Sequence, residues 1–200
     1  MERTTIDNAD VARFFDGLAP AWDGDLVRKE AVIGRILDAA EITDGVSVLD
    51  AGCGTGVLIG DYLLRGARRV LGVDLSPRML TEAERKFHGD TRVSFFCGDA
   101  ARLPYDGAFD RFMVYNAFPH FGDPAALFRR AALDLAEGGR ITIAHGMSRE
   151  AILRHHAGGA AHVSLALPEA DALMESMRPW FHVDTVLSDA AMYLVSGVKK

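Results

Sequence analysis

The sequence VSVLDAGCGTG, at residues 46–56, decides the fold. Its first half is an apolar run of strand length that ends at the acidic residue Asp50, and its second half carries glycine at alternate positions from Gly52 to Gly56. A buried strand that runs into a glycine-rich loop and then a helix is typical of α/β folds that hold a ligand against the loop. A tight turn without a ligand is the other interpretation, so the rest of the chain has to decide.

Outside this stretch, short apolar runs recur at strand length, and segments of helix length separate them. Two of those helices begin with a capping residue before proline, at Ser76 and Asp123, while Gly66 and the glycine pair at 138–139 are placed to end helices. The alternation predicts an α/β fold with a doubly wound, mostly parallel sheet. The predicted parallel strands are 46–50, 70–74, 93–97, 109–115 and 140–145.

The two ends of the chain complete the predicted layout. Apolar spacing predicts helices at 8–18 and 26–40 before the first strand, and a further helix at 168–178 near the end. Two last strands are predicted at 181–187 and 192–198, and the short turn between them favours an antiparallel pair. We therefore expect seven strands, with an antiparallel strand near the C-terminus.

Composition places the chain among ordinary globular proteins and excludes several classes of function. Its 200 residues are enough for one α/β domain but too few for a second full one. The net charge of −6 provides no basic surface for a phosphate backbone, so we expect no nucleic-acid partner. The sequence holds two cysteines and shows neither a signal-peptide profile nor an apolar run of membrane length, which predicts a cytoplasmic protein without membrane attachment.

Acidic residues stand at the ends of three successive predicted strands, at the sheet edge where such folds bind ligands. At the mouth of the glycine loop, the carboxylate of Asp50 would repel a pyrophosphate but favour the ammonium and sulfonium groups of S-adenosylmethionine (SAM). Asp74 is placed to accept hydrogen bonds from ribose hydroxyls, and Asp99 from an adenine amino group. Each aspartate alone fits a helix cap or turn equally well. Val57 stands where the dinucleotide fingerprint requires glycine, which argues against a nicotinamide cofactor.

Five motifs in fixed order resemble those of the class I SAM-dependent methyltransferases. The resemblance is to the group typified by the ubiquinone- and menaquinone-biosynthesis enzymes (methyltransferase domain 11/25-like). The motifs are VLDAGCGTG, VLGVDLSPRML, FCGDAARLPY, FDRFMVYNAFPHF and LAEGGRITIAHG. The resemblance implies a Rossmann-like seven-stranded sheet, SAM as cofactor, S-adenosylhomocysteine (SAH) as product, and methyl transfer to a small or medium-sized acceptor.

The resemblance also implies how the chain is divided and which residues bind the cofactor. It implies one domain over 1–200, with N-terminal helices and a lid at 1–40, a cofactor-binding core at 41–145, and C-terminal helices with the last two strands at 146–200. Core packing is the alternative role for Phe15 and Trp22, the two aromatic residues of the lid. By position, the methionine part falls to Asp50, Gly52, Gly54, Gly56, Tyr115 and Asn116, the ribose to Asp74 and Leu75, the adenine to Asp99 and Ala100, and the lid to Phe15 and Trp22.

Because SAM already carries an activated methyl group, the protein has mainly to align the acceptor and exclude water, with a neutral histidine as a suitable base. We predict His145, at the end of the fifth strand, as a base or acceptor contact, together with Tyr115. His120 is predicted to pack or to contact the methionine side. There are two alternatives for the later histidines. One is a surface or packing role, and the other is a speculative metal site made of His145, His155, His156 and His162.

Two further hypotheses for function stay open at this stage. One is a SAM-binding sensor or partner subunit without transfer activity. The other is a nicotinamide-dependent oxidoreductase, which Asp50 and Val57 disfavour. The sequence identifies neither the acceptor nor the oligomeric state.

Overall fold

A computed structural model of the chain describes residues 6–102, 105 and 108–200; Leu103 and Pro104 of the third motif lie outside these ranges. Seven strands form one sheet in the order β3-β2-β1-β4-β5-β7-β6. Strands β1 to β5 pair in parallel, and β7 is antiparallel to both β5 and β6, as predicted. The strands are β1 Ser47–Ala51, β2 Arg69–Asp74, β3 Val93–Cys97, β4 Phe109–Tyr115, β5 Leu135–His145, β6 Phe181–Ser188 and β7 Tyr193–Lys199.

Helices connect the strands, and their capping residues explain where several of them begin. The side chain of Ser76 accepts a hydrogen bond from the backbone N–H of Met79, and Asp123 does the same for Ala126, so both predicted caps are confirmed. The helices are α1 Asn8–Leu18, α2 Trp22–Asp25, α3 Glu30–Ala39, α4 Ile59–Leu64, α5 Pro77–Lys86, α6 Pro124–Asp134, α7 Arg149–His156 and α8 Ala170–Met177, with 3₁₀ turns at Phe118–His120 and Ala161–Val163.

Alternate residues of the strands bury side chains on the two faces of the sheet, which fixes a layer of helices on each side. Val48 of β1 packs in a cluster with Ile36 of α3 and Tyr62 of α4. Its neighbour Leu49 points to the other face, where the cluster includes Leu127 of α6. The doubly wound arrangement is therefore confirmed. None of the helices in the described ranges is long and apolar enough to cross a membrane.

The prediction of one helix over 26–40 is wrong at its start, because residues 26–29 are not helical and the helix there spans only Glu30–Ala39. Helix α2 ends before Leu26, whose backbone is extended, and α3 starts at Glu30. Between them, the Arg28 guanidinium donates a hydrogen bond of 2.6 Å to the carbonyl of Val57 and pairs with the Asp61 carboxylate. These distant contacts hold the segment across the glycine loop and outweigh its local helical pattern.

The glycine pair at 138–139 does not end helix α6, contrary to prediction. The helix ends at Asp134, and Leu135 already pairs with Phe109 of β4. Leu135 is 1% exposed, so burying its side chain draws the chain into the sheet early. The glycines lie within an irregular start of β5, where the register shifts and Gly138 has a φ of 70°.

Candidate functional site

A cavity of about 1220 Å³ lies beyond the carboxyl ends of the parallel strands, between the sheet and the N-terminal helices. This is where ligands bind in open α/β sheets. Gly56 is not among the described residues of its wall. The predicted cofactor residues that do line it are Phe15, Trp22, Asp50, Gly52, Gly54, Asp74, Leu75, Asp99, Ala100, Tyr115 and Asn116.

Asp50 is a buried carboxylate without a full set of partners. It is 2% exposed, and among the described residues its Oδ1 atom has no hydrogen-bond partner. Burial raises the pKa of Asp50 to about 7, with the nearby Asp74 carboxylate adding to the shift and the Tyr62 hydroxyl opposing it. Because an unpaired buried carboxylate is costly, this arrangement favours a cationic ligand beside Oδ1.

The glycine loop holds its shape through backbone hydrogen bonds and positive φ angles. The N–H of Gly52 donates to the Val73 carbonyl at 2.8 Å, and Gly52 has a φ of 74°. A Cβ atom on Gly52 would lie 2.6 Å from the Cβ of Ala117, so only glycine fits under the loop that follows β4. At Gly56 the missing side chain makes room for the Phe87 ring, which gives this glycine a packing role.

Asp74, the last residue of β2, joins the glycine loop to the start of α5. Its Oδ2 atom accepts a 2.8 Å hydrogen bond from the N–H of Gly54, and Oδ1 accepts one of 2.8 Å from Ser76. Burial raises the pKa of Asp74, while these backbone N–H groups oppose the shift. Each carboxylate oxygen keeps a further lone pair, so Asp74 can still accept from a hydroxyl group in the cavity.

Asp99 lies in the loop two residues after β3, not at the end of the strand as predicted. Its Oδ1 accepts from the N–H of Ala101, and its Oδ2 accepts a 2.8 Å hydrogen bond from the side-chain amide of Asn8. Asp99 therefore ties helix α1 to the sheet edge as well as lining the cavity.

The junction of β4 and β5 adds Tyr115 and Asn116 to the cavity wall. Asn116 has a φ of 54°, and its Oδ1 atom accepts a 3.0 Å hydrogen bond from the N–H of Gly146. A Cβ atom at Gly146 would lie 2.7 Å from the Tyr115 hydroxyl oxygen, so the glycine makes room for that hydroxyl. Burial raises the pKa of Tyr115, which keeps the phenol protonated.

Four histidines line the far side of the cavity, namely His120, His145, His155 and His156. His145 is 2% exposed, its Nε2 atom has no hydrogen-bond partner within the described ranges, and burial lowers its pKa to about 3. Burial also lowers the pKa of His156 to about 4. The imidazoles of His145 and His156 are therefore neutral at physiological pH.

The predicted metal site does not assemble in the described part of the chain. His162 is exposed and is not among the residues that line the cavity there. Over the same ranges, no three histidine, cysteine, aspartate or glutamate side chains are grouped closely enough to hold a metal ion. The four histidines of the metal hypothesis thus do not form one ligand set.

Residues 6–29, which we call the lid segment, cover the cavity. The Phe15 ring packs edge-on against Trp22, with centroids 5.8 Å apart, and both line the cavity. On its other side, α1 buries Val11 against Val163 of the second 3₁₀ turn. The second 3₁₀ turn therefore supports the lid segment.

Sequence reasoning missed the polar contacts that hold the lid segment down. Asp16 accepts a 2.6 Å hydrogen bond from the Ser76 hydroxyl, and Asp23 accepts one of 2.6 Å from Thr55. Just after α2, Lys29 lines the cavity and donates to the carbonyl of Gly146. These partners lie far apart in sequence, so no local pattern signals them.

Comparison with known proteins agrees with this geometry. A family model described as a methyltransferase domain matches residues 48–139. The chain is 28% identical to a demethylmenaquinone methyltransferase of Paenarthrobacter aurescens (strain TC1), over 95% of this chain and 82% of that protein. It is also 28% identical to methyltransferase GfsG of Streptomyces halstedii, over 78% of this chain and 54% of that protein, so it spans about half the length of GfsG.

Solved structures share the fold. A putative methyltransferase in complex with the Haloferax volcanii Trm112 methyltransferase activator superposes with a TM-score of 0.78 at 22% identity, covering 92% of this chain and 97% of that chain. The ordered motifs, the aspartates at the strand ends, the family model and the relatives all indicate similarity to methyltransferases. In sequence the chain is therefore similar to methyltransferases, one of them named for demethylmenaquinone, and in fold it is similar to a putative methyltransferase.

Proposed function

We propose that this chain binds SAM and transfers its methyl group to a small or medium-sized acceptor molecule. The observation that carries the proposal is that Oδ1 of Asp50, in the wall of a cavity behind a glycine loop, has no hydrogen-bond partner among the residues that the structure describes. A small-molecule acceptor is supported by the relatives named as methyltransferases. The name of one of them gives demethylmenaquinone as its substrate.

The residues present fit SAM. When bound, SAM supplies a methyl group activated on a sulfonium. Asp50 offers a negative charge to the ammonium end, and Gly52 and Gly54 let the backbone approach the methionine part. We infer that the remaining contacts follow the family pattern, with Asp74 and Leu75 at the ribose, Asp99 and Ala100 at the adenine, Tyr115 and Asn116 beside the methionine part, and Phe15 and Trp22 above the ligand.

The lid segment and the histidine side of the cavity complete the proposed site. The hydrogen bonds of the lid segment to Thr55, Ser76 and Asp99 close the site against water. Exclusion of water favours methyl transfer over side reactions. Beyond the cofactor, we propose that His145 and Tyr115 contact the acceptor. The neutral His145 can form a hydrogen bond there without introducing a positive charge.

We also infer a single domain over residues 1–200 and a cytoplasmic location. Both cysteines are free, with Cys53 buried and Cys97 exposed, as suits a reducing compartment. The acidic net charge supports small molecules rather than nucleic acid as partners. A SAM-binding sensor or partner subunit is the alternative, and it differs in forming no SAH.

The proposal is tested by calorimetry with SAM, followed by detection of SAH with a panel of phenols, alcohols, amines and thiols. We expect SAM binding and SAH formation with part of the panel. SAM binding without SAH from any acceptor supports the sensor alternative, and absence of SAM binding overturns the proposal.

The role of His145 has its own test. His145→Ala is expected to lower kcat/KM for the acceptor while the Kd for SAM stays at the wild-type value. The matched control is His182→Ala, because His182 is exposed on β6 and is not among the described residues that line the cavity. Wild-type kcat/KM in His145→Ala contradicts the acceptor contact.

A further inference from the structure

His120 is held in one tautomer by the backbone. It ends the 3₁₀ turn after β4, and its Nδ1 atom lies 2.9 Å from the carbonyl oxygen of Val163. Because a carbonyl oxygen can only accept, Nδ1 must carry the hydrogen of the neutral ring. The Nε2 atom is then unprotonated and can accept a proton.

The same ring stands where cofactor and acceptor would meet. The turn that carries it begins after Ala117, which lies directly on Gly52 of the glycine loop. The His120 ring packs edge-on against Phe15 of the lid segment, with centroids 4.9 Å apart, and it lines the cavity. On the other side lies the His156 ring, at a centroid distance of 5.1 Å.

We propose that His120, through Nε2, is the base that removes the proton from the acceptor, and that the acceptor is a neutral alcohol or phenol. This inference rests on the proposed function, because it assigns the proton step of that reaction. It also differs from the prediction that His120 packs or contacts the methionine part.

The proposed step balances in atoms and charge. The acceptor oxygen forms the new O–CH₃ bond, and the S–CH₃ bond breaks with its electron pair left on sulfur. The hydroxyl proton passes to Nε2 of His120, so the positive charge moves from the sulfonium to the imidazolium. The Nδ1–H bond to Val163 persists in the imidazolium, which keeps the ring oriented until Nε2 releases its proton to solvent.

The surroundings of His120 favour a hydroxyl acceptor over an amine. Among the described residues, the titratable groups that interact with His120 are His145, His155 and His156. Burial lowers the pKa of His120, as it does for His145 and His156, so this side of the cavity disfavours positive charge. An aliphatic amine is an ammonium ion at neutral pH and would add a second positive charge to that of the sulfonium, whereas a neutral hydroxyl acceptor leaves the total charge unchanged.

His145 is less suited to the proton step. Its Nε2 atom is enclosed and unpartnered, and no hydrogen bond in the described part of the chain fixes its tautomer. We therefore assign proton removal to His120 and leave His145 as the acceptor contact.

The tautomer is tested without any turnover, by ¹⁵N NMR of the ligand-free protein at neutral pH. We expect a protonated Nδ1 and an unprotonated Nε2 for His120, assigned by the loss of its signals in His120→Gln. A protonated Nε2 on His120 overturns the inference, whatever the activity of the protein.

The chemical role is tested with the variant His120→Ala, using His182→Ala as the matched control. We expect kcat for hydroxyl acceptors to fall by about 10²- to 10⁴-fold, the Kd for SAM to stay unchanged, and added imidazole to restore part of kcat. Because burial lowers the pKa of His120, wild-type kcat should fall only in acid solution, below the ordinary histidine pKa, as His120 becomes protonated. The imidazole-rescued variant should follow the pKa of the added base instead.

The outcomes separate this inference from the proposed function. Wild-type kcat in His120→Ala, or SAH formation with amines and none with hydroxyl compounds, overturns the inference and leaves methyl transfer standing. SAM binding without SAH from any acceptor refutes methyl transfer itself, and this inference with it.

Discussion

Replacing Gly52 by alanine tests the packing of the glycine loop against the segment after β4. The substitution places a methyl group 2.6 Å from the Cβ of Ala117 and keeps a residue with a side chain at a φ of 74°. The positive φ costs about 1–2 kcal/mol, and forcing a methyl group into a packed site costs about 1–3 kcal/mol more. We expect the free energy of unfolding to fall by about 2–5 kcal/mol.

The matched control is Gly54→Ala in the same loop. Gly54 also has a positive φ, of 55°, but apart from its two chain neighbours no residue in the described ranges has an atom within 4 Å of the Cβ position. Its cost should be the backbone part alone, about 1–2 kcal/mol. Urea unfolding of the ligand-free proteins, followed by circular dichroism, measures both changes. Equal losses in the two variants would show that the contact with Ala117 does not constrain the loop.

Three further predictions concern the site and the segment that crosses it. The pKa of Asp50 is about 7, and binding of SAM needs the ionised carboxylate. The Kd for SAM should therefore rise by up to about tenfold per pH unit below pH 7. The same dependence of Kd on pH in Asp50→Asn would refute this. Asp74→Ala should weaken SAM binding by about 1–3 kcal/mol in calorimetry, whereas the exposed Asp171→Ala should not, and equal affinities would exclude the ribose role. Arg28→Ala should lower the free energy of unfolding by about 1–3 kcal/mol, because Arg28 donates to the Val57 carbonyl. The control is Arg13→Ala, which removes an exposed ion pair with Asp10. A smaller loss in Arg28→Ala than in Arg13→Ala would contradict the prediction.

Local patterns predicted the sheet well, because they reflect local physics. Helix α1 and strands β3 and β4 have the predicted limits, since capping residues and apolar runs of strand length are read directly from neighbouring residues. The antiparallel β7 followed from the short turn after β6. Where long-range contacts compete, the patterns failed. The backbone at Leu26 is extended and not helical, near the contact of Arg28 with Val57. Leu135 pairs in the sheet three residues before the glycine pair at 138–139 begins.

The candidate site shows the same division. Strand-end positions located Asp50 and Asp74, because the sheet itself brings such residues to one edge. The pairing of Asn8 with Asp99 and the hydrogen bond from His120 to Val163 join segments far apart in sequence, and only the folded chain brings them together. The role of Gly56 was also out of reach, since nothing in the loop sequence indicates that Phe87 packs above it.

The central claim is that the carboxylate of Asp50 behind the glycine loop selects a cationic amino-acid group over a phosphate. Calorimetric titration of one protein preparation with SAM and, separately, with NADH tests it most directly. The account predicts saturable binding of SAM and no detectable binding of NADH. Binding of NADH with SAM excluded would contradict it.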